Sequence, residues 1–137
     1  MHLRPTTPLR IPSIIDEAIG IIKDDKKATS LRSGHKATES PLKWFVKNDK
    51  YFKGFLHNED YNLPKEKFNQ VYIPDGYVDI LKSSFMLNNH TIHGDKMIGF
   101  ESPVCTEIDS REEFDYIQYQ INKSGSLLVN YLDQLKE

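Results

Sequence analysis

The chain has 137 residues, 38% of them hydrophobic, enough for one folded unit with one core. Eighteen Lys and Arg against twenty Asp and Glu give a formal net charge of -2, so no strong field favours nucleic acid or an anionic membrane as partner. The single Cys105 excludes an intrachain disulfide framework, and no apolar run is long enough for a transmembrane helix.

Met1-His2-Leu3-Arg4-Pro5 lacks the charged and apolar regions of an export signal, so a cytoplasmic protein is expected. The Asn-x-Ser/Thr triplets at Asn89 and Asn122 are then incidental.

The opening Leu3-Arg4-Pro5-Thr6-Thr7-Pro8-Leu9-Arg10 carries two guanidinium forks and two hydroxyls, a set suited to phosphate, carboxylate or sugar hydroxyls. Its prolines equally suit a rigid strand-to-helix connection. Ile14, Ile15, Ala18, Ile21 and Ile22 have helical spacing and predict a helix over about 13–25, with Ser13 and Asp16 as a cap-like pair. The run Asp24-Asp25-Lys26-Lys27 reads as a solvated helix end, Ala28–Ser33 as a short strand and Gly34–Pro41 as a loop.

Two aromatic-rich segments, 42–47 and 51–56, flank Asn48-Asp49-Lys50 and predict a hairpin that could project as a β arm. His57–Glu66 reads as a polar connection. Gln70–Ile73, the turn or bulge Pro74-Asp75-Gly76 and Tyr77–Leu81 form either a strand pair or one bent strand. A short helix is expected over 82–87 and a strand over Met97–Phe100.

Ser110-Arg111-Glu112-Glu113 matches a capping box, with Phe114, Ile117 and Ile121 at helical spacing until Ser124-Gly125. A last helix, about 126–136, places Leu128, Tyr131, Leu132 and Leu135 on one face. Helices at both ends around a few strands describe an α/β unit.

Glu107-Ile108-Asp109-Ser110 is the strongest local candidate for chemistry. In an extended segment alternate residues share a side, which would set two carboxylates together as oxygen ligands for Mg²⁺ beside substrate phosphates. The competing reading makes Asp109 or Ser110 a helix cap and Glu107 a solvated edge residue. His90-Thr91-Ile92-His93 lacks a spaced second pair of zinc ligands and reads as loop, and Cys105 reads as a small buried filler.

The opening LRPTTPLR and the EIDS segment, in this order and about a hundred residues apart, resemble the acylneuraminate cytidylyltransferase family, the CMP-sialic acid synthetases. Ser40-Pro41-Leu42-Lys43-Trp44-Phe45 is similar to that family's entry into its β arm, and Tyr72-Ile73-Pro74-Asp75-Gly76 to its Arg-Pro-Asn-Gly turn. The resemblance runs over most of the chain. It implies an α/β nucleotidyltransferase sheet, Rossmann-like and GT-A-like, flanked by helices with a projecting arm at about 42–80.

The implied activity is transfer of CMP from CTP to a sialic-acid-like nine-carbon sugar acid, for surface polysaccharide, with release of pyrophosphate and use of Mg²⁺. Glu107 and Asp109 would hold the metal. Arg4, Thr6, Thr7, Arg10, Lys65, Asp75, Gly76 and Asp79 fall at or near substrate-binding positions, and no residue takes a catalytic role. The arm would make a homodimer.

Several positions depart from the family. Glu107 stands where many members have Asp, Lys65 near a sugar-binding Arg, and Asp79 near a Tyr. No Gly-rich, basic triphosphate loop precedes LRPTTPLR. The resemblance therefore implies a C-terminal portion lacking roughly the first 90 to 100 residues of a domain of typical size, with strand edges left open. Two further readings are a noncatalytic dimerisation or interaction remnant that keeps the arm, and a related nucleotidyltransferase using another nucleotide or a sugar phosphate.

Overall fold

The computed structural model describes residues 1–56 and 60–135. They fall into two compact units, Met1–His35 with Pro74–Glu137, and Lys36–Ile73.

The first unit is mixed α/β. Helix α1 spans Pro12–Asp24, strand β1 Ser30–Lys36, β4 Tyr72–Leu81, α2 Ser83–Asn89, β5 Met97–Glu101, α3 Arg111–Ser124 and α4 Leu127–Gln134, with the short β2 (Phe45–Asn48) and β3 (Tyr51–Gly54) of the second unit intervening in sequence. Its small mixed sheet has the order β4-β1-β5. β1 and β5 run parallel with Leu31 opposite Ile98 and Ser33 opposite Phe100.

Apolar burial explains why α1 lies on this sheet. Ala18 and Ile22 share a helix face with the partly buried Ile14 and Ile15, and they pack with Leu31, Tyr77, Val78 and Phe100. The helix starts one residue earlier than expected, because Pro12 takes the first turn where its missing N–H costs nothing. Ile11 occupies the cap position without any side-chain cap bond, so the expected Ser13–Asp16 pairing is not used.

β1 corrects the sequence reading most. Gly34, His35 and Lys36 were expected in a loop but belong to the strand. Their weak strand propensity is overridden by pairing, since Gly34 lies opposite Glu101 of β5. β4 is one bent strand, with Gly76 at φ +63 inside it. The main chain there takes the left-handed conformation that glycine tolerates best.

The expected cap of α3 is present. Ser110 Oγ accepts from the Glu113 N–H, and the Glu113 carboxylate reaches back to accept from the Asp109 N–H at 2.8 Å. The Asp109 N–H, followed by the Ser110 hydroxyl, holds the Glu113 carboxyl below its ordinary range. Gly125 ends the helix at φ 70. On α4 the expected face of Leu128, Tyr131, Leu132 and Leu135 is exposed, and Lys136 lies outside the described residues.

The second unit contains the expected hairpin. β2 (Phe45–Asn48) and β3 (Tyr51–Gly54) pair antiparallel, with Asn48 opposite Tyr51 and Asp49 at φ 55 in the turn. Phe45 stacks on Phe52 with centroids 5.8 Å apart, and Tyr61 meets Phe45 edge-on at 5.1 Å. Of the expected connection His57–Glu66, residues 57–59 lie outside the described residues; Asp60–Asn62 and Lys65–Lys67 are short 3₁₀ turns. Among the described residues no helix is long and apolar enough to cross a membrane.

Candidate functional site

Three sequence-distant segments converge in the first unit. The Ile108 N–H donates to the Thr6 carbonyl at 2.8 Å, which ties EIDS to LRPTTPLR. Arg4 Nη1 and Thr6 Oγ1 each reach Glu107 Oε1 at 3.4 Å. The third segment is Pro74-Asp75-Gly76: a Cβ on Gly76 would lie 2.6 Å from Arg4 Cδ and 2.8 Å from Arg4 Nε. Glycine therefore lets the Arg4 side chain lie directly on the β4 backbone.

Arg10 holds the opening loop in shape. Its guanidinium donates to the carbonyls of Tyr77 (2.5 Å), Thr7 (2.5 Å), Arg4 (2.8 Å) and Gly76 (2.9 Å). A planar fork can serve several acceptors in this way, whereas an ammonium cannot match its geometry. Tyr77 adds a second tie, its hydroxyl oxygen accepting from the Ile11 N–H at 2.6 Å. The residue is 1% exposed, and burial raises its phenol above the ordinary value.

Arg4 and Glu107 are each about one-third exposed, at 34% of the side chain. Their contact is long, so its value lies in orientation more than stability. Thr7 is fully buried, and its Oγ1 finds no partner among the described residues.

Asp75 faces inward. One carboxylate oxygen accepts from Ser33 Oγ at 2.7 Å and the Tyr77 N–H at 3.0 Å. The other accepts from Ser102 Oγ and meets His35 Nδ1 at 3.3 Å. Burial alone would raise the carboxyl, but the donors from Ser102, the Tyr77 backbone, Ser33 and His35 outweigh it and hold Asp75 below the usual range.

Asp79, placed further along β4, is turned to other work. Its carboxylate lies 3.6 Å from Arg32 Nε, and its backbone exchanges hydrogen bonds with His2. Asp109 is exposed at the start of α3. Lys65 belongs to the second unit, where it lines a cavity of about 300 Å³ with Ser40, Glu66 and Gln70. Cys105 packs against the core, and burial pushes its thiol up to about 11, which keeps it protonated and unreactive near neutral pH.

Glu107 and Asp109 supply the hard oxygen ligands Mg²⁺ prefers. Among the described residues no group of three or more His, Cys, Asp or Glu side chains is placed to hold a metal. Glu107 already faces Arg4 and Thr6. This donor set fits a cation only as a co-ligand completed by phosphate oxygens.

Ser33, His35 and Ser102 escaped the sequence reading. The available signal was the alternation Ser33-Gly34-His35, which puts both polar side chains on one face once β1 is extended through Lys36. Comparison with protein-family models and with curated proteins returns no match.

Proposed function

We propose that this chain carries the sugar-acid side of a cytidylyltransferase, a Rossmann-like, GT-A-like nucleotidyltransferase that moves CMP from CTP to a sialic-acid-like nine-carbon sugar acid for surface polysaccharide in the cytoplasm. The observation that carries the reading is the convergence of LRPTTPLR, Pro74-Asp75-Gly76 and EIDS around Arg4. Their spacing in sequence did not require it.

In this reading Arg4 and Thr6 present a cation and a hydroxyl to the sugar acid, and Arg10 keeps both in place through the loop's carbonyls. Glu107 balances Arg4 until substrate arrives. Glu107 and Asp109 would hold Mg²⁺ together with triphosphate oxygens, and the ion would supply charge neutralisation at the transferred phosphoryl group. Gly76, against which the Arg4 side chain lies, forms the floor beneath it.

Isothermal titration of the chain with CMP-N-acetylneuraminate and Mg²⁺ checks the assignment. Saturable heat is expected from the parent chain, with affinity at least tenfold weaker in Arg4→Ala and Asp109→Ala, about 1.4 kcal/mol. Heats of dilution alone from the parent chain would remove the site assignment.

The exposed aromatic hairpin favours a second reading, a homodimer or interaction arm without catalysis. Phe45, Phe52 and Tyr51 are 48%, 73% and 67% exposed, an uncommon display for a monomer. Sedimentation at several concentrations would show a stable dimer that binds no nucleotide if this reading holds. A monomer at every concentration would count against it.

A further inference from the structure

The buried carboxylate of Asp75 has a partner that the sugar-acid reading leaves without a task. His35 sits near the carboxyl end of β1, and the parallel neighbour β5 ends at Glu101, one residue before Ser102. In open α/β sheets ligands are received outside the carboxyl ends of parallel strands. Gly76, beside Asp75, lies against Arg4, so the Asp75 network adjoins the candidate sugar site.

Three donors besides His35 fix the Asp75 carboxylate: Ser33 Oγ, Ser102 Oγ and the Tyr77 N–H. Ser33 is held in turn, its oxygen accepting from the Val78 N–H at 2.9 Å. An ionised carboxylate only accepts hydrogen bonds. His35 Nδ1, 3.3 Å from Asp75 Oδ2, must therefore carry the hydrogen of that contact. In the neutral ring this leaves Nε2 as the basic nitrogen. The Asp75 side chain is 4% exposed and that of His35 is 21%, so a buried anion backs an imidazole that solvent or ligand can reach.

The geometry points to His35 as the proton acceptor for the hydroxyl of the acceptor substrate, with Asp75 as its positioning residue. The identity of that hydroxyl rests on the cytidylyltransferase reading above. Nε2 takes the hydroxyl proton while the sugar oxygen forms a bond to the α-phosphorus of CTP. The bond from that phosphorus to its bridging oxygen breaks, and pyrophosphate leaves with the electron pair. Asp75 stabilises the imidazolium formed in the step, as a buried carboxylate does for a catalytic imidazole elsewhere. Four polar groups converging on one buried carboxylate also give the ring the fixed orientation that proton transfer requires.

Long-range proton–nitrogen NMR of the full chain, labelled at its five histidines, tests this. His35→Gln identifies the resonance by its loss. The neutral ring is expected to carry hydrogen on Nδ1, and titration with N-acetylneuraminate is expected to move the Nε2 signal saturably, together with the amides of Thr6, Gly76 and Ile108. A neutral ring with hydrogen on Nε2 overturns the proposal whatever the sugar does. Amide shifts at Thr6, Gly76 and Ile108 without any change at His35 overturn it and leave the sugar site standing. If neither responds, both fall, because the hydroxyl that His35 would serve is not bound.

Discussion

Arg10→Ala is expected to remove about 3 kcal/mol or more of stability, read as a lower urea midpoint by circular dichroism at unchanged slope. Four carbonyls, from Arg4, Thr7, Gly76 and Tyr77, lose their shared donor in that variant. A hydrogen bond to a charged group contributes about 1.5–3 kcal/mol, but four bonds to one partly exposed guanidinium do not add, so the expected loss lies well below their sum. A domain with about 5–15 kcal/mol in total would be left close to unfolding. Arg10→Lys should recover only part of the loss, since an ammonium lacks the planar fork. A loss under about 1 kcal/mol for Arg10→Ala would mean that water replaces the guanidinium without strain.

Asp75→Asn is the second large effect, expected to cost about 2–4 kcal/mol. The amide would turn a donor toward Ser33 Oγ, Ser102 Oγ, the Tyr77 N–H or His35, each of which now donates to a carboxylate oxygen. The pH dependence follows from the direction of the shift. Asp75 is held below its unfolded value of about 3.9, so its contribution is fully present above that pH and is lost as pH falls through the lower, folded value. Stability of the parent chain should therefore decline on the acid side, and Asp75→Asn should flatten that decline. Urea midpoints collected from pH 6 down to the acid limit would check it; parallel curves for parent and variant would exclude Asp75 as a source of the slope.

Local chemistry made several elements legible in advance. Helix α3 follows from Ser110, Glu113 and the apolar positions Phe114, Ile117 and Ile121, because a cap and a periodic face are properties of neighbouring residues. The hairpin follows from two aromatic runs around Asn48-Asp49-Lys50. The end of β1 was illegible, since Gly34, His35 and Lys36 have no strand signature, and Gly34 finds its partner in β5, more than sixty residues away.

The candidate site divides along the same line. Arg4, Thr6 and Glu107 were singled out from their chemistry, and the structure brings them within 3.4 Å. Asp75 was also singled out, but its burial and its four partners depend on where Ser33, His35 and Ser102 arrive, which a one-dimensional pattern does not contain. The chemistry of Thr7 and Arg10 suits a substrate surface, but the structure makes Arg10 the clamp of its own loop and buries Thr7. Asp79 is paired with Arg32, a partner that spacing could not supply.

The strand order β4-β1-β5 has a kinetic consequence. The β2–β3 hairpin closes a two-residue turn, an event on the order of microseconds. The pairing of Ser30 with Met97, the Arg10 clamp on Gly76 and the Thr6–Ile108 tie each bring together residues at least 66 positions apart. Their chain entropy must be lost before any of them stabilises the sheet. The arm is thus expected to acquire its aromatic surface before Arg4, Gly76 and Glu107 meet. During that interval a nascent chain displays its most adhesive rings before it owns a site.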